Sequence, residues 1–177
     1  MKLVILDRDG VINRDSEQYI KSPDEWQPIA GSLEAIARFT QAGFRVVVAT
    51  NQSGLGRGLF DMATLNAMHD KMHKAVNQLG GRIDAVFFCP HAQDAGCACR
   101  KPRPGMLLEI AARFNVAIEG VPAIGDSLRD LQAASAAGAR PILVLTGKGE
   151  QTLKSGGLPE GTEIHQDLAA AALALAA

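Results

Sequence analysis

Carboxylates gather in two short stretches of this sequence, and their spacing suggests chemistry on phosphate. Asp7 and Asp9 belong to the stretch DRDG, in which an extended chain would direct both carboxylates to one side while Arg8 points away. Asp126 and Asp130 belong to GDSLRD, much further along the chain. Carboxylates that converge on one point repel each other unless a cation neutralises them, and oxygen ligands suit Mg²⁺. The pattern therefore predicts a magnesium site that contains a carboxylate able to attack phosphorus.

Hydrogen-bond donors and a lysine complete this chemistry. The stretch TNQS covers Thr50, Asn51, Gln52 and Ser53, and Lys101 follows the cysteine-rich part of the chain. A lysine together with hydroxyl and amide donors could bind the oxygens on which negative charge collects during phosphoryl transfer. Taken singly, each group is more simply explained as a turn, a helix cap or a surface charge. The prediction of phosphoryl transfer depends on the fold bringing the groups together.

All three cysteines of the chain lie between residues 89 and 99. With one histidine they give the order Cys89, His91, Cys97 and Cys99, a set of ligands that Zn²⁺ takes in closed tetrahedral sites. A redox pair is less favoured because the sequence has no Cys-x-x-Cys, whereas buried cysteines without a metal remain an alternative. We predict a zinc-binding loop at about 89–99 that fixes the position of the residues directly after it.

Apolar runs of strand length alternate with helical patterns along the chain. The runs that we interpret as strands cover 3–6, 45–50, 84–89, 121–125 and 141–145. The helical patterns cover 32–43, 61–79, 104–114, 127–137 and, more weakly, 166–176. Ser32 would be the N-cap of the first helix, and Gly43 would end it. We assign no regular structure to 10–30, 51–60, 90–103 and 146–165.

The alternation of these elements predicts an α/β fold. Continuous apolar runs are typical of strands that are buried on both faces. We therefore expect a three-layer, doubly wound (Rossmann-like), mostly parallel sheet with helices on both faces, and a mixed α+β fold is the alternative. Ligands of such sheets bind outside the carboxyl ends of the strands, which is where the polar groups described above stand.

Length and composition limit the kind of protein that this can be. The chain has 177 residues, enough for one globular domain over 1–177 and too few for two comfortable ones. Its net charge is -1, and one Trp and one Tyr offer few stacking surfaces for nucleic acid. The apolar N-terminal segment is too short for a signal peptide, and the tail AAALALAA is too short to span a membrane. We expect a cytoplasmic monomer with a small-molecule partner, and neither nucleic acid nor membrane.

In this order, DRDG, TNQS, the Lys-Pro pair and GDSLRD resemble the four signature motifs of the haloacid dehalogenase (HAD) superfamily of phosphohydrolases. The resemblance extends from residue 3 to about residue 146. It implies that Asp7 is the nucleophile, that Asp9 is the general acid and base, and that Thr50 binds the phosphate. Lys101 would be the lysine of the third motif.

The same resemblance implies how the metal is held. Asp126 would bind Mg²⁺ beside Asp7 and the backbone carbonyl of Asp9. Asp130 would be a ligand or a residue that supports the ligands from behind, and we favour the second role. Mg²⁺ and Zn²⁺ are thus the two expected cofactors.

Many HAD enzymes insert a cap domain after the first or third strand, but residues 10–31 and 89–101 are too short to hold one. With the stretches DRDGVIN, TNQSGLGRG and CRKPRPGM, the chain resembles the capless heptose-bisphosphate phosphatase family. This resemblance implies removal of the C7 phosphate from D-glycero-D-manno-heptose 1,7-bisphosphate during synthesis of lipopolysaccharide or S-layer precursors. Histidinol-phosphate phosphatases have a similar zinc loop and remain an alternative. A phosphotransferase and a non-enzymatic, zinc-stabilised binding protein are further alternatives.

The heptose reading also implies a set of contacts with the sugar phosphate, namely Asp15, Tyr19, Asn51, Gln52, Ser53, Arg100 and Lys101. Two features depart from some relatives. The zinc loop is short, and Ser127 stands where other members have a lysine. Both could change the preference for an anomer or for a sugar.

Overall fold

The computed structural model describes residues 1–177, and its centre is a six-stranded sheet. The strands are β1 (Lys2–Leu6), β2 (Phe44–Asn51), β3 (Ala85–Cys89), β4 (Pro122–Gly125), β5 (Arg140–Val144) and β6 (Glu163–His165). They stand in the order β3-β2-β1-β4-β5-β6, and every neighbouring pair is parallel. The predicted α/β fold with a parallel, doubly wound sheet is confirmed.

Seven helices surround this sheet. They are α1 (Ser32–Gln41), α2 (Ser53–Gly56), α3 (Met62–Gln78), α4 (Gly105–Phe114), α5 (Leu128–Ala137), α6 (Gly149–Ser155) and α7 (Leu168–Leu175). Helices α1, α3 and α7 share one apolar core on one face of the sheet, and α4 and α5 share a second core on the other. None of the helices has both the length and the apolar character that crossing a membrane requires.

Strand β1 shows why the sequences of the central strands are unbroken apolar runs. Val4 and Leu6 belong to one core, whereas Leu3 and Ile5 belong to the other, and all four are at most 3% exposed. Alternate side chains of a strand point to opposite faces, so a strand covered on both faces needs an apolar residue at every position. Burial of one such side chain contributes roughly 1.5–3 kcal/mol relative to exposure.

The order of the strands creates a crevice at the end of β1. From β1 the chain first adds β2 and β3 on one side, and then adds β4, β5 and β6 on the other. The connections therefore leave the carboxyl ends of β1 and β4 in opposite directions, and a space opens between them. Ligands of doubly wound sheets bind at such a reversal point.

The segment between β1 and α1 does not form a domain of its own, and contacts with α3 hold it in place. Its only regular element is a 3-10 turn at Pro23–Glu25. The Nζ atom of Lys71, on α3, donates hydrogen bonds to the carbonyl oxygens of Pro23 and Trp26, both at 2.8 Å. Trp26 itself is 1% exposed. The expectation of a capless protein is thus confirmed, and this segment is attached to α3 at Pro23 and Trp26.

Several details of the sequence-based assignment are wrong. Ser32 is not the N-cap of α1, because Gly31 takes that position and the Ser32 hydroxyl donates to the carbonyl of Val11 at 2.8 Å. Structure also occurs in two segments to which none was assigned, as α2 lies within 51–60, and α6 and β6 lie within 146–165. These elements are short and carry few buried apolar residues, so no periodic pattern marks them. The ends of the five predicted strands differ by about one residue.

Candidate active site

A polar cavity of about 160 Å³ opens at the carboxyl edge of the sheet. Of the 17 residues that line it, only 2 are hydrophobic. The lining includes eleven of the residues that the sequence singled out, namely Asp7, Asp9, Asp15, Tyr19, Thr50, Asn51, Gln52, Ser53, Arg100, Lys101 and Asp126. The structure therefore brings the polar groups of all four motifs to one place, and their chemical roles stay predictions.

Asp7 directly follows β1 and is 8% exposed. Its backbone N–H donates to the carbonyl of Ile124 at 2.9 Å, which keeps the residue beside β4 at the edge of the crevice. Burial and the nearby carboxylate of Asp130 raise the pKa of Asp7 to about 7, although Lys101 acts in the opposite direction. The carboxylate thus lies in a site that disfavours negative charge unless more positive charge is added.

Lys101 is held at both ends. Its Nζ atom lies 3.1 Å from Asp7 Oδ1 and 2.7 Å from Asp130 Oδ1, and it donates to the carbonyl of Ala49 at 2.8 Å. At the backbone, the side-chain amide of Asn51 donates to the Lys101 carbonyl and accepts from its N–H, both at 3.1 Å. The Lys101 side chain is 4% exposed, so three acceptors compensate for the lost hydration of its ammonium group.

Asp126 lies directly after β4 and is 3% exposed. Its Oδ2 atom accepts a hydrogen bond from the backbone N–H of Lys148 at 2.9 Å. Burial, together with Asp130 and Asp7, raises the pKa of Asp126 to about 8. Gly10 packs against this carboxylate with a φ of +88°, and a Cβ atom at that position would collide with it. The turn after β1 therefore requires glycine for its conformation and for the space that Asp126 fills.

Asp130 lies behind Asp7 and Asp126, and carboxylate oxygens of the three residues lie within 4.8 Å of one another. Its Oδ2 atom accepts from the backbone N–H groups of Asp126 and Ser127, both at 3.2 Å, and from the Ser127 hydroxyl at 2.9 Å. These bonds form a capping box at the start of α5. Burial alone would raise the pKa of Asp130, but the pair with Lys101 holds it below its ordinary value. Oδ1 is thus paired with Lys101, and Oδ2 is occupied by the hydrogen bonds at the start of α5.

Asp9 is held by three side chains. Its Oδ1 atom accepts from Arg8 Nε at 2.8 Å and from Asn13 Nδ2 at 2.9 Å, whereas Oδ2 has one longer contact, with Gln52 Nε2 at 3.4 Å. Burial acts to raise the pKa of Asp9, but Arg8 and the other donors outweigh it and lower the pKa. Arg8 points away from the cavity as expected, yet its Nε reaches back to this carboxylate.

Residues of the TNQS stretch form the wall opposite Asp9. Thr50 ends the buried part of β2, and its hydroxyl oxygen accepts from Gln52 Nε2 at 3.0 Å. Ser53 begins the short helix α2 and is 5% exposed. The backbone N–H of Gln52 donates to the carbonyl of Cys89 at 2.8 Å, so this wall is attached to the start of the cysteine loop.

Cys89, His91, Cys97 and Cys99 form a compact cluster, in which one ligand atom of each residue lies within 4.8 Å of the others. The Sγ atom of Cys89 lies 3.5 Å from that of Cys97 and 3.0 Å from that of Cys99, well beyond the roughly 2 Å of a disulfide bond. The Nδ1 atom of His91 lies 3.4 Å from Cys89 Sγ and 3.3 Å from Cys99 Sγ. The predicted clustering of these four side chains is confirmed, and three thiols with one imidazole suit Zn²⁺.

The cysteine loop is connected to the other walls of the cavity. Gln93, inside the loop, accepts from Arg57 Nε at 2.8 Å and donates to the hydroxyl of Tyr19 at 3.1 Å. Tyr19 has a positive φ of 67°, which is unusual for a residue with a side chain. The chain leaves the cluster at Cys99 and supplies the next two residues to the cavity. The cysteine loop and the two residues after it thus contribute Gln93, Arg100 and Lys101 to the cavity wall.

Six lining residues were not predicted, namely Ser16, Glu17, Ile20, Gln93, Arg129 and Lys148. A signal existed for two of them. Arg129 stands inside the GDSLRD stretch, and Lys148 follows the last predicted strand at the same edge of the sheet. The other four lie in loops, whose path the sequence pattern does not determine.

Comparison with known proteins agrees with this geometry. A family model described as HAD-hydrolase-like matches residues 98–171, and one described as polynucleotide kinase 3 phosphatase matches residues 2–127. The D-glycero-beta-D-manno-heptose-1,7-bisphosphate 7-phosphatase of Bordetella bronchiseptica is 66% identical over 172 residues, which are 97% of this chain and 96% of that protein. The protein of the same name from Pseudomonas putida is 56% identical over 172 residues, which are 97% and 98% of the two chains.

A solved structure gives the same result. The crystal structure of the B. bronchiseptica D,D-heptose 1,7-bisphosphate phosphatase, complexed with magnesium and phosphate, matches with a TM-score of 0.98 at 66% identity. The match covers 99% of this chain and 98% of that one. The chain therefore belongs to the D-glycero-β-D-manno-heptose-1,7-bisphosphate 7-phosphatase family of HAD-like hydrolases.

Proposed function

We propose that this chain is a magnesium-dependent phosphohydrolase that removes the C7 phosphate from D-glycero-β-D-manno-heptose 1,7-bisphosphate. The main observation in support of the proposal is that one polar cavity is lined by Asp7, Asp9, Asp126 and Lys101. High identity to relatives of this name supports the substrate and its β anomer. The product would enter the synthesis of nucleotide-activated heptose for lipopolysaccharide or S-layer precursors.

Asp7 and Asp126 would hold Mg²⁺ together with the backbone carbonyl of Asp9. Charge supports this fit, because burial raises the pKa of Asp7 to about 7 and that of Asp126 to about 8, and a divalent cation between the two would relieve their repulsion. The B. bronchiseptica structure contains magnesium and phosphate. When bound, Mg²⁺ supplies positive charge that orients the phosphate oxygens and stabilises their charge in the transition state.

Asp7 would act as the nucleophile. One of its carboxylate oxygens forms a bond to phosphorus while the bond from phosphorus to the sugar oxygen at C7 breaks. Asp9 donates a proton to that sugar oxygen, and the heptose 1-phosphate leaves. Asp9 then takes a proton from a water molecule, whose oxygen attacks the phosphorus of the aspartyl-phosphate. Inorganic phosphate leaves, and the Asp7 carboxylate is restored.

The hydrogen bonds of Asp9 suggest which of its oxygens carries the proton. Two donors, Arg8 and Asn13, occupy Oδ1, whereas Oδ2 has only the 3.4 Å contact with Gln52, a residue that lines the cavity. Oδ2 is therefore the oxygen with a free lone pair on the substrate side. We assign proton transfer to this atom.

Lys101 and Thr50 would bind the oxygens of the phosphate. The Lys101 ammonium already lies 3.1 Å from the attacking carboxylate, so a phosphate bound to Asp7 would be within its reach. Asn51 acts on the backbone of Lys101 with its carbonyl oxygen and one N–H, and its amide retains a second N–H for the substrate. These donors are placed before the substrate arrives, which is what makes electrostatic stabilisation effective.

The zinc cluster would have a positioning role. Cys99 directly precedes Arg100 and Lys101, so a metal that fixes Cys99 also fixes the backbone from which both cations extend. The loop has little apolar surface to bury, and a metal can supply the folding energy that packing does not. The metal would take no part in the chemical step.

Arg100 and Arg129 favour a substrate with a second phosphate. Nη1 of Arg100 is buried and has no hydrogen-bond partner, and burial together with Arg129 lowers the pKa of Arg100. Two guanidinium groups that line the cavity and repel each other are suited to an anion. The bisphosphate places its C1 phosphate away from the reaction centre, whereas the far end of histidinol phosphate is cationic. The two arginines therefore favour the heptose substrate.

The same proposal covers the assembly and the compartment. This chain carries every group that the proposed chemistry needs, so one copy would be sufficient for activity, and we propose a single domain over residues 1–177 that acts as a monomer. A cluster of three thiols stays reduced and available for zinc in the cytoplasm. The partner is the sugar phosphate, and neither nucleic acid nor a membrane is needed.

A substrate panel with Mg²⁺ tests the proposal. It compares kcat/KM for both anomers of heptose 1,7-bisphosphate and for histidinol phosphate, and we expect the β anomer to give the highest value. Asp7→Asn should abolish phosphate release, whereas Asp70→Asn, an exposed change on α3, should not alter it. A higher kcat/KM for histidinol phosphate would disprove the substrate. Full turnover by Asp7→Asn would disprove the mechanism, and no phosphate release from any substrate would support the binding-protein alternative.

A further inference from the structure

Arg8 stands between two proposed catalytic aspartates in sequence, yet its side chain is 0% exposed and lies inside the protein. Its guanidinium has two polar neighbours, namely Asp9 Oδ1 at 2.8 Å from Nε and His69 Nε2 at 3.2 Å from Nη1. The Nη2 atom is buried and has no hydrogen-bond partner. Asp9 and His69 are therefore the two hydrogen-bond partners that orient this buried cation.

His69 lies on α3, in a different layer of the fold from Asp9, and is 8% exposed. A guanidinium has only donors, so the Nε2 atom that faces it must act as an acceptor. The imidazole is therefore neutral, with its proton on Nδ1. In agreement, burial and Arg8 lower the pKa of His69 to about 4. His69 thus serves Arg8 as a neutral acceptor over the whole range near neutral pH.

We infer that His69 is a positioning residue for Asp9 and acts through the guanidinium of Arg8. The inference rests on the role of Asp9 in the proposed function. A guanidinium is planar and rigid, so fixing Nη1 also fixes the direction of Nε. Nε then holds Oδ1 of Asp9, and Oδ2 is left on the cavity side for proton transfer. One rigid group thus transmits the position of α3 to the general acid and base.

Loss of the acceptor on α3 would leave Arg8 with a single side-chain contact. The guanidinium could then turn about its remaining hydrogen bond to Asp9, because two of its three nitrogens would lack hydrogen-bond partners. Asp9 would keep its charge and its place in the chain but would lose its fixed orientation. We expect a slower chemical step with little change in substrate binding, since Asp9 acts on the leaving oxygen and not on the parts of the substrate that are bound most tightly.

Three variants on α3 test this inference. His69→Leu keeps similar volume and removes the acceptor, whereas His69→Gln can present an amide oxygen near the position of Nε2. His73→Leu is the matched control, because His73 lies one turn further along the same helix and makes no hydrogen bond with Arg8. We expect His69→Leu to reduce kcat about 10-fold with KM within about twofold, an effect typical of residues that orient a catalytic group. His69→Gln and His73→Leu should keep kcat near the wild-type value.

Equal losses of kcat in His69→Leu and His69→Gln would overturn the inference, and so would a loss confined to KM. If His69→Leu does not fold, His69→Asn replaces it, because asparagine is polar but too short to reach Arg8. Equal kcat in the Asn and Gln variants would then contradict the inference.

An NMR readout is independent of turnover. We expect an unprotonated Nε2 in wild-type His69, and an Arg8 Nε–H signal that shifts in the Leu or Asn variant and stays in place in the Gln variant. If the wild-type protein released no phosphate, the proposed function would be wrong. If the Arg8 Nε–H signal did not shift in the Leu or Asn variant, the positioning role of His69 would be wrong.

Discussion

The Nζ atom of Lys101 lies 2.7 Å from the Oδ1 atom of Asp130, and both side chains are at most 5% exposed. A buried ion pair of this kind is strongly directional, because each partner would otherwise be an uncompensated charge in the interior. The Oδ2 atom of the same carboxylate caps α5. Asp130 therefore connects the start of a helix to the cation that is proposed to bind the phosphate.

Asp130→Asn should separate these two functions. Asparagine keeps a side-chain oxygen that can accept the same hydrogen bonds from Ser127, so the stability of α5 should change little, whereas Lys101 loses a charged partner and gains freedom to move. We expect kcat to fall roughly 10-fold to 100-fold, the range typical of residues that support a metal site or a catalytic group. Steady-state kinetics and thermal unfolding would be measured together.

The control for Asp130→Asn is Asp61→Asn, which makes the same substitution at an exposed helix start, where the Asp61 side chain accepts from the backbone N–H of Thr64. It should leave kcat unaltered. If Asp130→Asn kept wild-type kcat, the contact with Lys101 would have no part in catalysis.

Removal of the metal from the cysteine cluster should lower activity without touching the reaction centre. We expect Cys99→Ser, or treatment with a chelator, to reduce kcat/KM about 10-fold to 100-fold, because Arg100 and Lys101 lose the anchor that precedes them. Zinc content and phosphate release would be followed in the same samples. Re-addition of Zn²⁺ is the control, and it should restore the chelated protein but not Cys99→Ser. A zinc-free protein with full kcat/KM would refute the positioning role of the cluster.

Gly10→Ala should damage the magnesium site more than the fold. The new methyl group would collide with the Asp126 carboxylate, and a φ of +88° adds roughly 1–2 kcal/mol of strain for a residue with a side chain. Gly43→Ala is a matched control, since Gly43 has a φ of +87° and open space around it. We expect similar losses of unfolding free energy from the backbone strain, and a weaker apparent affinity for Mg²⁺ only in Gly10→Ala. The Mg²⁺ dependence of phosphate release measures this affinity, and equal Mg²⁺ curves for both variants would contradict the prediction.

His69 should make the stability of the protein depend on pH. In the folded protein the pKa of His69 is about 4, below the ordinary 6.5, so below pH 6.5 the unfolded chain binds a proton that the folded chain does not. This group therefore favours unfolding progressively as the pH falls from 6.5 towards 4, by up to about 1.4 kcal/mol per pH unit. The groups that face His69 are Arg8 and His73, which lower its pKa, and Asp9, which raises it.

Urea unfolding at several pH values would measure this dependence. In His69→Gln the slope between pH 6.5 and 4 should be smaller than in wild type. His73→Gln should retain most of the slope, because burial and Arg8 lower the pKa of His69 more than His73 does. Parallel curves for wild type and His69→Gln would show that His69 is already protonated in the folded state.

The reaction centre was predictable because its members stand in short local motifs. Asp7, Asp9 and Gly10 occupy one turn, and the alternation of strands and helices is enough to place that turn at the edge of the sheet. Fold class followed from the apolar runs for a similar reason, since strands covered on both faces must be apolar throughout.

The supports of the centre were not predictable in this way. The contact between Arg8 and His69 joins residues that are 61 positions apart, and the contact between Asn51 and Lys101 joins residues that are 50 positions apart. Such pairs depend on helix packing and on the path of a loop, and no periodicity in the sequence records either. Strand β6 was not predicted for another reason, because its three residues, EIH, are too few to form an apolar run of strand length.

The place of β3 in the sheet gives the zinc cluster a second consequence. This strand is outermost, its residues from Ala85 to Phe88 are only half-buried, and its last residue is the ligand Cys89. An apolar edge strand offers unpaired backbone groups on which other chains can assemble. The metal would thus also restrain an aggregation-prone edge, and light scattering after chelation should report growing particles that Zn²⁺ prevents. For this chain, then, loss of zinc would threaten solubility as well as turnover.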